Sequence, residues 1–257
     1  MDMYRIIEKS IIKTYRKEIW SKFVKAVRDY ELIADGDKIA VCISGGKDSC
    51  LLAKCMQEFQ KHGMFKFDLE FIVMNPGYNE ENLRKIEDNL NLLNIEARFF
   101  ETPIFKIADS SESPCYLCAR MRRGYLYDYA KKLGCNKIAL GHHMDDVVET
   151  IVMNLIYNGA YSSMMPKLPS DNFENIELIR PLYLIREKDI IRWKKRNGLE
   201  FIDCACKVTE KNLGKRSEVK KLIQNLNKLY KGADINIMNS TKNVNLNTII
   251  SYNRKKE

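Results

Sequence analysis

The six residues Ser44-Gly45-Gly46-Lys47-Asp48-Ser49 follow directly on the apolar run Lys38 to Ile43 and lead directly into a run of helical character from Leu51 to Met56. A strand that passes into a helix through two adjacent glycines leaves few choices of architecture. Glycine lets the backbone turn sharply and approach a ligand closely, while the unpaired N–H groups and positive dipole end of the following helix face an anion. Lys47 adds a mobile positive charge, and Ser44 and Ser49 add hydroxyl donors. The arrangement is a phosphate cradle. It lacks the four residues that separate the first glycine from Gly-Lys in the Walker loop, so it implies a different nucleotide chemistry. An ordinary turn accounts for the glycines and leaves Lys-Asp-Ser unexplained.

Around this loop, strand patterns alternate with helix patterns. A helix runs on to about His62, a strand covers Asp68 to Met74, and a helix covers Glu80 to Leu93. Then come a strand at Ala97 to Phe100, a helix from Cys115 to Leu133, a strand at Lys137 to Leu140 and a helix from Val147 to Tyr157. Such alternation predicts an α/β fold, a doubly wound, mostly parallel sheet with helices on both faces. Ligands gather at the carboxyl ends of its strands, where both Ser44-Gly45-Gly46 and Gly141-His142-His143 fall. Ahead of the sheet, Tyr4 to Leu32 reads as an amphipathic basic helix, its charged face either solvated or in contact with an RNA backbone. Charged helices follow at Glu187 to Asn197 and Ser217 to Tyr230, and the Asn-, Lys- and Ser-rich stretch after Gly232 reads as a loosely held tail. The expected division is a basic helix at 1–34, a nucleotide domain with an inserted Cys-x-x-Cys helix at 35–203, a helical segment at 204–231 and the tail at 232–257.

The formal net charge of +9 attracts polyanions but does not identify one. No run of about eighteen apolar residues occurs, and Met1 to Trp20 lacks the apolar middle of a signal peptide, so a cytoplasmic location is expected. Eight cysteines there are reduced thiols, metal ligands or catalytic groups rather than disulfides. Cys42, Cys50, Cys55 and Cys135 sit inside apolar patterns and read as small buried residues. Cys115-Tyr116-Leu117-Cys118 at a helix start, with Cys204-Ala205-Cys206 far along the chain, has metal-site spacing. Four thiolates would suit a structural zinc, whereas three would suit an iron–sulfur cluster with one iron left open. Arg120, Arg122 and Arg123 interleave with this helix and are either phosphate or RNA contacts or solvated.

The loop resembles the PP-loop of ATP pyrophosphatases. Taken with Cys115-x-x-Cys118, Arg122-Arg123-Gly124, Gly141-His142-His143-x-Asp145-Asp146, Met165-Pro166-Lys167-Leu168, Ile179-Arg180-Pro181-Leu182 and Arg186-Glu187-Lys188-Asp189-Ile190, the stretch from about Lys13 to Tyr230 resembles the tRNA 2-thiocytidine synthetase (TtcA) family. That resemblance implies an adenine nucleotide alpha hydrolase-like fold and ATP-dependent thiolation of a tRNA base. It also implies a [4Fe-4S] cluster on Cys115, Cys118 and a third cysteine, for which Cys204 is favoured over Cys206. The chain departs from the family in having Cys-x-Cys at the third position and Tyr116 after the first cluster cysteine.

Under the resemblance, ATP phosphates rest on Ser44, Gly45, Gly46 and Ser49 with Lys47 as clamp, and Asp48 holds Mg2+ or caps a backbone N–H. Adenine lies near Met74, Gly141 and His142. Lys47, Arg122 and Mg2+ stabilise the charge that develops at the α-phosphorus, and Asp145 holds Mg2+ or positions the substrate. The implied partners are tRNA, a sulfur donor such as a cysteine desulfurase, and a second copy of the chain. The rival readings are a PP-loop thiolase or ligase acting on another base or a small molecule, and a nucleotide- or tRNA-binding module with structural zinc and no turnover.

Overall fold

The computed structural model describes residues 2–63, 65–108, 114–202 and 214–252, with residues 108 and 114–116 described by their backbone alone. The elements open with Met3–Lys9 (α1), Ser21–Asp29 (α2), Lys38–Ile43 (β1), Lys47–His62 (α3), Asp68–Asn75 (β2) and Glu80–Leu93 (α4). They continue with Arg98–Glu101 (β3), Ile104–Ala108 (α5), Pro114–Lys132 (α6), Lys137–Ala139 (β4) and Met144–Asn158 (α7). Lys167–Pro169 (β5), Glu177–Ile179 (β6), Glu187–Arg196 (α8), Gly214–Leu229 (α9) and Ala233–Ser240 (α10) complete them. The chain groups into two units, Met1–Met144 with Met165–Leu213, and Asp145–Met164 with Gly214–Glu257.

The first unit carries a six-stranded sheet in the order β3-β2-β1-β4-β6-β5. Every pairing is parallel except the one between β5 and β6. Because side chains alternate along a strand, β1 serves two cores at once. Ile39, Val41 and Ile43 join a cluster with Phe23 of α2, Leu51 and Leu52 of α3 and Trp193 of α8. Ala40 and Cys42 face the opposite way, into a cluster with Tyr127 and Ala130 of α6. The doubly wound sheet expected from the alternation is therefore present. The two short strands β5 and β6 carry no extended apolar pattern and were not anticipated. From β1 the chain winds outward to β2 and β3, then crosses back to β4 on the other side, so the β1–β4 boundary is the switch point where such sheets bind ligands.

The N-terminal segment is helical as expected, yet it is not a plain α-helix. Between α1 and α2 the backbone widens twice into π-turns, at Ser10–Thr14 and Arg16–Trp20. Tyr15 N–H donates to Ser10 O at 2.8 Å, and Trp20 N–H to Tyr15 O at 3.3 Å. The cause is in the sequence. Ile7, Ile11, Tyr15, Ile19, Phe23 and Val27 recur every fourth residue and all are buried. A 3.6-residue turn falls behind such a repeat by about 0.4 residue each time, and the wider i→i+5 turns take up the difference.

In the second unit, Arg216 of α9 bridges Asp146 at 2.6 Å and Glu149 at 2.7 Å, both on α7. Tyr157 donates to Glu218 at 3.2 Å and Tyr161 to Ser240 at 2.7 Å. The polar composition after Gly232 predicted a loose tail, whereas residues Ala233–Ser240 form a helix with Met238 and Asp234 buried. One buried methionine and an Asn227 side chain accepting from Asp234 N–H are enough to order a turn that composition reads as coil. No helix among the described residues is long and apolar enough to cross a membrane.

Candidate active site

The loop at the end of β1 is closed by its own serines. Ser49 Oγ accepts from Ser44 N–H at 3.1 Å and from Ser44 Oγ at 3.2 Å, and donates to the Gly46 carbonyl at 3.0 Å. Gly45 has φ +81°, and a Cβ there would lie 2.6 Å from Ile86 and 2.8 Å from Ile202. It therefore has to be glycine on both conformational and steric grounds. Gly46 precedes the first residue of α3, and no side chain caps the helix there. A helix start of this kind offers its free N–H groups to an anion.

Gly141 closes the other side of the switch point. A Cβ on it would stand 3.0 Å from the Asp48 carbonyl carbon and 3.0 Å from Ser49 N, both backbone atoms that cannot step aside. The end of β4 is thus pressed against the first turn of α3, as expected for two parts of one nucleotide site. Met74 is buried near the carboxyl end of β2. Of the two histidines, His142 is half-buried, and the buried His143 is the one near the loop, with Nε2 3.8 Å from Asp48 Oδ1.

Lys47 Nζ lies 3.0 Å from Asp48 Oδ2 and 3.2 Å from Glu187 Oε1. Burial alone would depress this ammonium, but the two carboxylates outweigh it and hold its pKa above the ordinary lysine value. Glu187 opens α8, delivered by the turn in which Ile185 N–H donates to Leu182 O at 2.9 Å. It went unassigned in the sequence reading although its motif was recognised, because 140 residues separate it from Lys47.

A second path leads from the loop to the cysteine helix. Asn75 Oδ1 accepts from Gly77 N–H at 2.9 Å and Tyr78 N–H at 2.7 Å, which fixes the turn after β2. Tyr78 then donates to the Ser44 carbonyl at 3.4 Å. Its ring meets Phe105 edge-on with centroids 5.8 Å apart, and the Arg122 guanidinium stands 5.8 Å from the same Phe105 ring. Arg122 is one helical turn beyond Cys118 on α6. Its Nε is buried with no hydrogen-bond partner among the described residues, an orphaned donor suited to an anion. Neither Tyr78 nor Phe105 carried a local pattern that could have marked it.

The thiols sort by environment. Cys42, Cys50, Cys55 and Cys135 are buried as expected. Burial pushes Cys50 up to about 12 and Cys135 up to about 11, and drives Cys42 and Cys55 higher still. Cys118 is half-buried. The Cys115 side chain, Cys204 and Cys206 lie outside the described residues. Ile202, the last described residue before Cys204, donates its N–H to the Gly45 carbonyl at 3.3 Å. Asp145 stands in the first turn of α7, and Asp146 beside it is taken up by Arg216.

A glycine cradle at the switch point of a parallel sheet, with an uncapped helix start and a half-buried lysine, defines a nucleotide-binding α/β protein of the PP-loop class. The sequence profile of the PP-loop domain matches residues 15–224. Three curated relatives bear the name tRNA-cytidine(32) 2-sulfurtransferase. That of Francisella philomiragia is 38% identical over 92% of this chain and 93% of its own length, and that of Vibrio cholerae is 37% identical over 89% and 74%. The Coxiella burnetii relative is 36% identical over 93% and 94%. The chain belongs to the tRNA 2-thiocytidine synthetase family. Among solved structures, the U34-tRNA thiolase NcsA from Methanococcus maripaludis with its [4Fe-4S] cluster superposes with a TM-score of 0.68, covering 87% of this chain and 77% of that one. At 23% identity that likeness shows the fold.

Proposed function

We propose that this chain is an ATP-dependent tRNA sulfurtransferase that converts a cytidine, at position 32 as in its curated relatives, to 2-thiocytidine. The observation that carries the reading is convergence on one loop. Ser44 receives Tyr78, whose ring meets Phe105 and through it Arg122 of the Cys118 helix, while Gly45 receives Ile202, two residues before Cys204 in sequence. A phosphate cradle and the approaches to the two thiol segments thus meet at adjacent residues.

The residues fit the groups this chemistry needs. The α3 start, Ser44, Ser49 and Lys47 hold the phosphates, and Asp48 is the carboxylate for Mg2+. Cys115, Cys118 and Cys204 are the thiols for a [4Fe-4S] cluster, which when bound supplies an iron open to sulfide. In the reaction, the carbonyl oxygen of the base attacks the α-phosphorus of ATP and pyrophosphate leaves. Sulfide then displaces AMP at the activated carbon, so the departing phosphate carries off the original oxygen. Lys47 and the α3 dipole meet the negative charge on the leaving pyrophosphate, and Arg122 supplies a further donor whose Nε has already been stripped of water. Donors of this kind are worth about a hundred- to a thousandfold each. Adenine packs near Met74, Gly141 and His142. A cysteine desulfurase whose persulfide is reduced by thiols is the natural source of sulfide, the reaction takes place in the cytoplasm, and the chain acts as a homodimer.

Mass spectrometry of tRNA nucleosides from cells with and without the protein tests the reading. It expects 2-thiocytidine to disappear when the protein is absent. An unchanged 2-thiocytidine level, or loss of a thiolated uridine instead, overturns it.

A further inference from the structure

The positive charge of this chain is not spread evenly. Between Met3 and Arg28 there are eight basic and two acidic residues, and α8 has five basic and two acidic ones, so these two helical stretches account for the whole formal excess of +9. They lie side by side. Ser10 Oγ accepts from both Trp193 Nε1 and Asn197 Nδ2 at 3.1 Å, and Tyr15 donates to the Arg192 carbonyl at 3.1 Å. Beside this seam runs a groove of about 510 Å³ lined by Ile6, Lys9, Ser10, Thr14, Arg196 and Asn197. Lys13 is exposed and stands one turn on from the lining Lys9 in the same helical stretch.

Three features separate this groove from an ordinary solvated face. First, three acids beside the seam are engaged elsewhere: Glu8 by Lys54 and Lys61, Asp189 by Lys22, and Asp2 by Arg5. Second, the last carbonyls of α8 are covered, since Gly198 N–H donates to Lys195 O at 3.2 Å and Leu199 N–H to Lys194 O at 3.1 Å. An anion in the groove therefore meets cationic side chains, not the negative helix end. Third, the groove is tied to the active site by α8 itself. Glu187 at its first residue contacts Lys47, and Arg196 at its last lines the groove, so the two ends are about 14 Å apart along the helix.

We propose that this groove docks the sugar–phosphate backbone of the tRNA while the target base occupies the site at Lys47. The inference rests on the sulfurtransferase reading. Lys9, Lys13 and Arg196 are the phosphate contacts, and Thr14 and Asn197 offer neutral hydrogen bonds. Contacts of this type position a nucleic acid without reading its sequence. They make affinity fall with salt in proportion to the phosphates neutralised.

The test uses anaerobically purified holoprotein and an unmodified tRNA transcript with cytidine at position 32, its binding followed by fluorescence anisotropy across a salt series. In the triple variant Lys9→Ala/Lys13→Ala/Arg196→Ala, binding at physiological salt should weaken about tenfold or more, and the slope of log K against log salt should shrink by about 2 to 3. The charge-preserving variant Lys9→Arg/Lys13→Arg/Arg196→Lys should restore both, which loss of fold in the first variant would not permit. A control, Lys66→Ala/Lys131→Ala/Lys132→Ala, removes the same charge from exposed positions elsewhere and should cost far less. Equal losses in the control overturn the proposal, as does a wild-type slope in the groove variant. If the groove variant binds tRNA normally but loses turnover only when sulfide comes from a donor protein, the groove belongs to that protein and the tRNA assignment is wrong. If the wild-type protein neither binds nor thiolates the transcript, the sulfurtransferase reading fails with it.

Discussion

At the scale of single residues, the site is governed by what surrounds Lys47. Its ammonium is held between two carboxylates, so removing either should show in its titration. For Glu187→Gln the folded-state pKa of Lys47 falls toward the ordinary value. Lys47 works as a cation, hence activity is present below its pKa and lost as pH rises through it. The alkaline limb of pyrophosphate release against pH should therefore move to lower pH in Glu187→Gln, with the rate at neutral pH within about tenfold of wild type because the lysine itself remains. Lys47→Ala should instead lower that rate about a hundred- to a thousandfold at every pH below the wild-type alkaline limb. Gly141→Ala probes the close approach from the other side. Its Cβ would lie 3.0 Å from two backbone atoms of the α3 start, so the melting temperature should fall and ATP affinity measured by calorimetry on the folded variant should drop at least about tenfold. The loop, its serines and Gly141 were legible from sequence because each belongs to a short local pattern. Glu187, Tyr78 and Phe105 were not, since their roles arise from contacts across 140, 34 and 17 residues that no local spacing encodes.

At the scale of elements, the N-terminal helix shows how far periodicity can be trusted. Apolar recurrence located the helical segment to within one residue at its start and three at its end, and the strict four-residue interval also contained the π-turns, although a helical reading tuned to 3.6 passes over them. Strands β1, β2 and β4 were legible because buried parallel strands are near-continuous apolar runs. β5 and β6, three residues each, are too short to leave a pattern. Whether the four-residue row really bears the load is open to measurement. Ile11 is fully buried in that row, while Ile12 is only partly buried beside it. Ile11→Ala should destabilise the protein by about 2–5 kcal/mol in urea unfolding. Ile12→Ala should cost less than half as much, and equal costs would show that the helix does not pack through that row.

Across the whole molecule, the described thiols divide into four that are buried and one, Cys118, that is half-buried, and burial decides which of them are kept from carrying metal. A ligand must be a thiolate. Cys50 and Cys135, at about 12 and about 11, stay protonated at neutral pH, and Cys42 and Cys55 do so more firmly. Nothing in composition separates these four from the rest; their place inside strand and helix patterns does, which is why their burial was legible. The half-buried Cys118 stands one helical turn from Arg122 on α6 and is open to ligand and reagent in a way the four buried thiols are not. Two measurements follow from this sorting. After removal of iron, native-state alkylation followed by mass spectrometry should label Cys118 within minutes and leave the four buried cysteines unlabelled until urea is added. In holoprotein purified without oxygen, Cys118→Ser should lose the iron, the sulfide and the visible absorption together, whereas Cys135→Ser, at a buried position on the far core, should keep all three. Iron retained in Cys118→Ser would place the cluster elsewhere, and with it the sulfur chemistry that the shared loop at Ser44 and Gly45 is built to bring to an activated base.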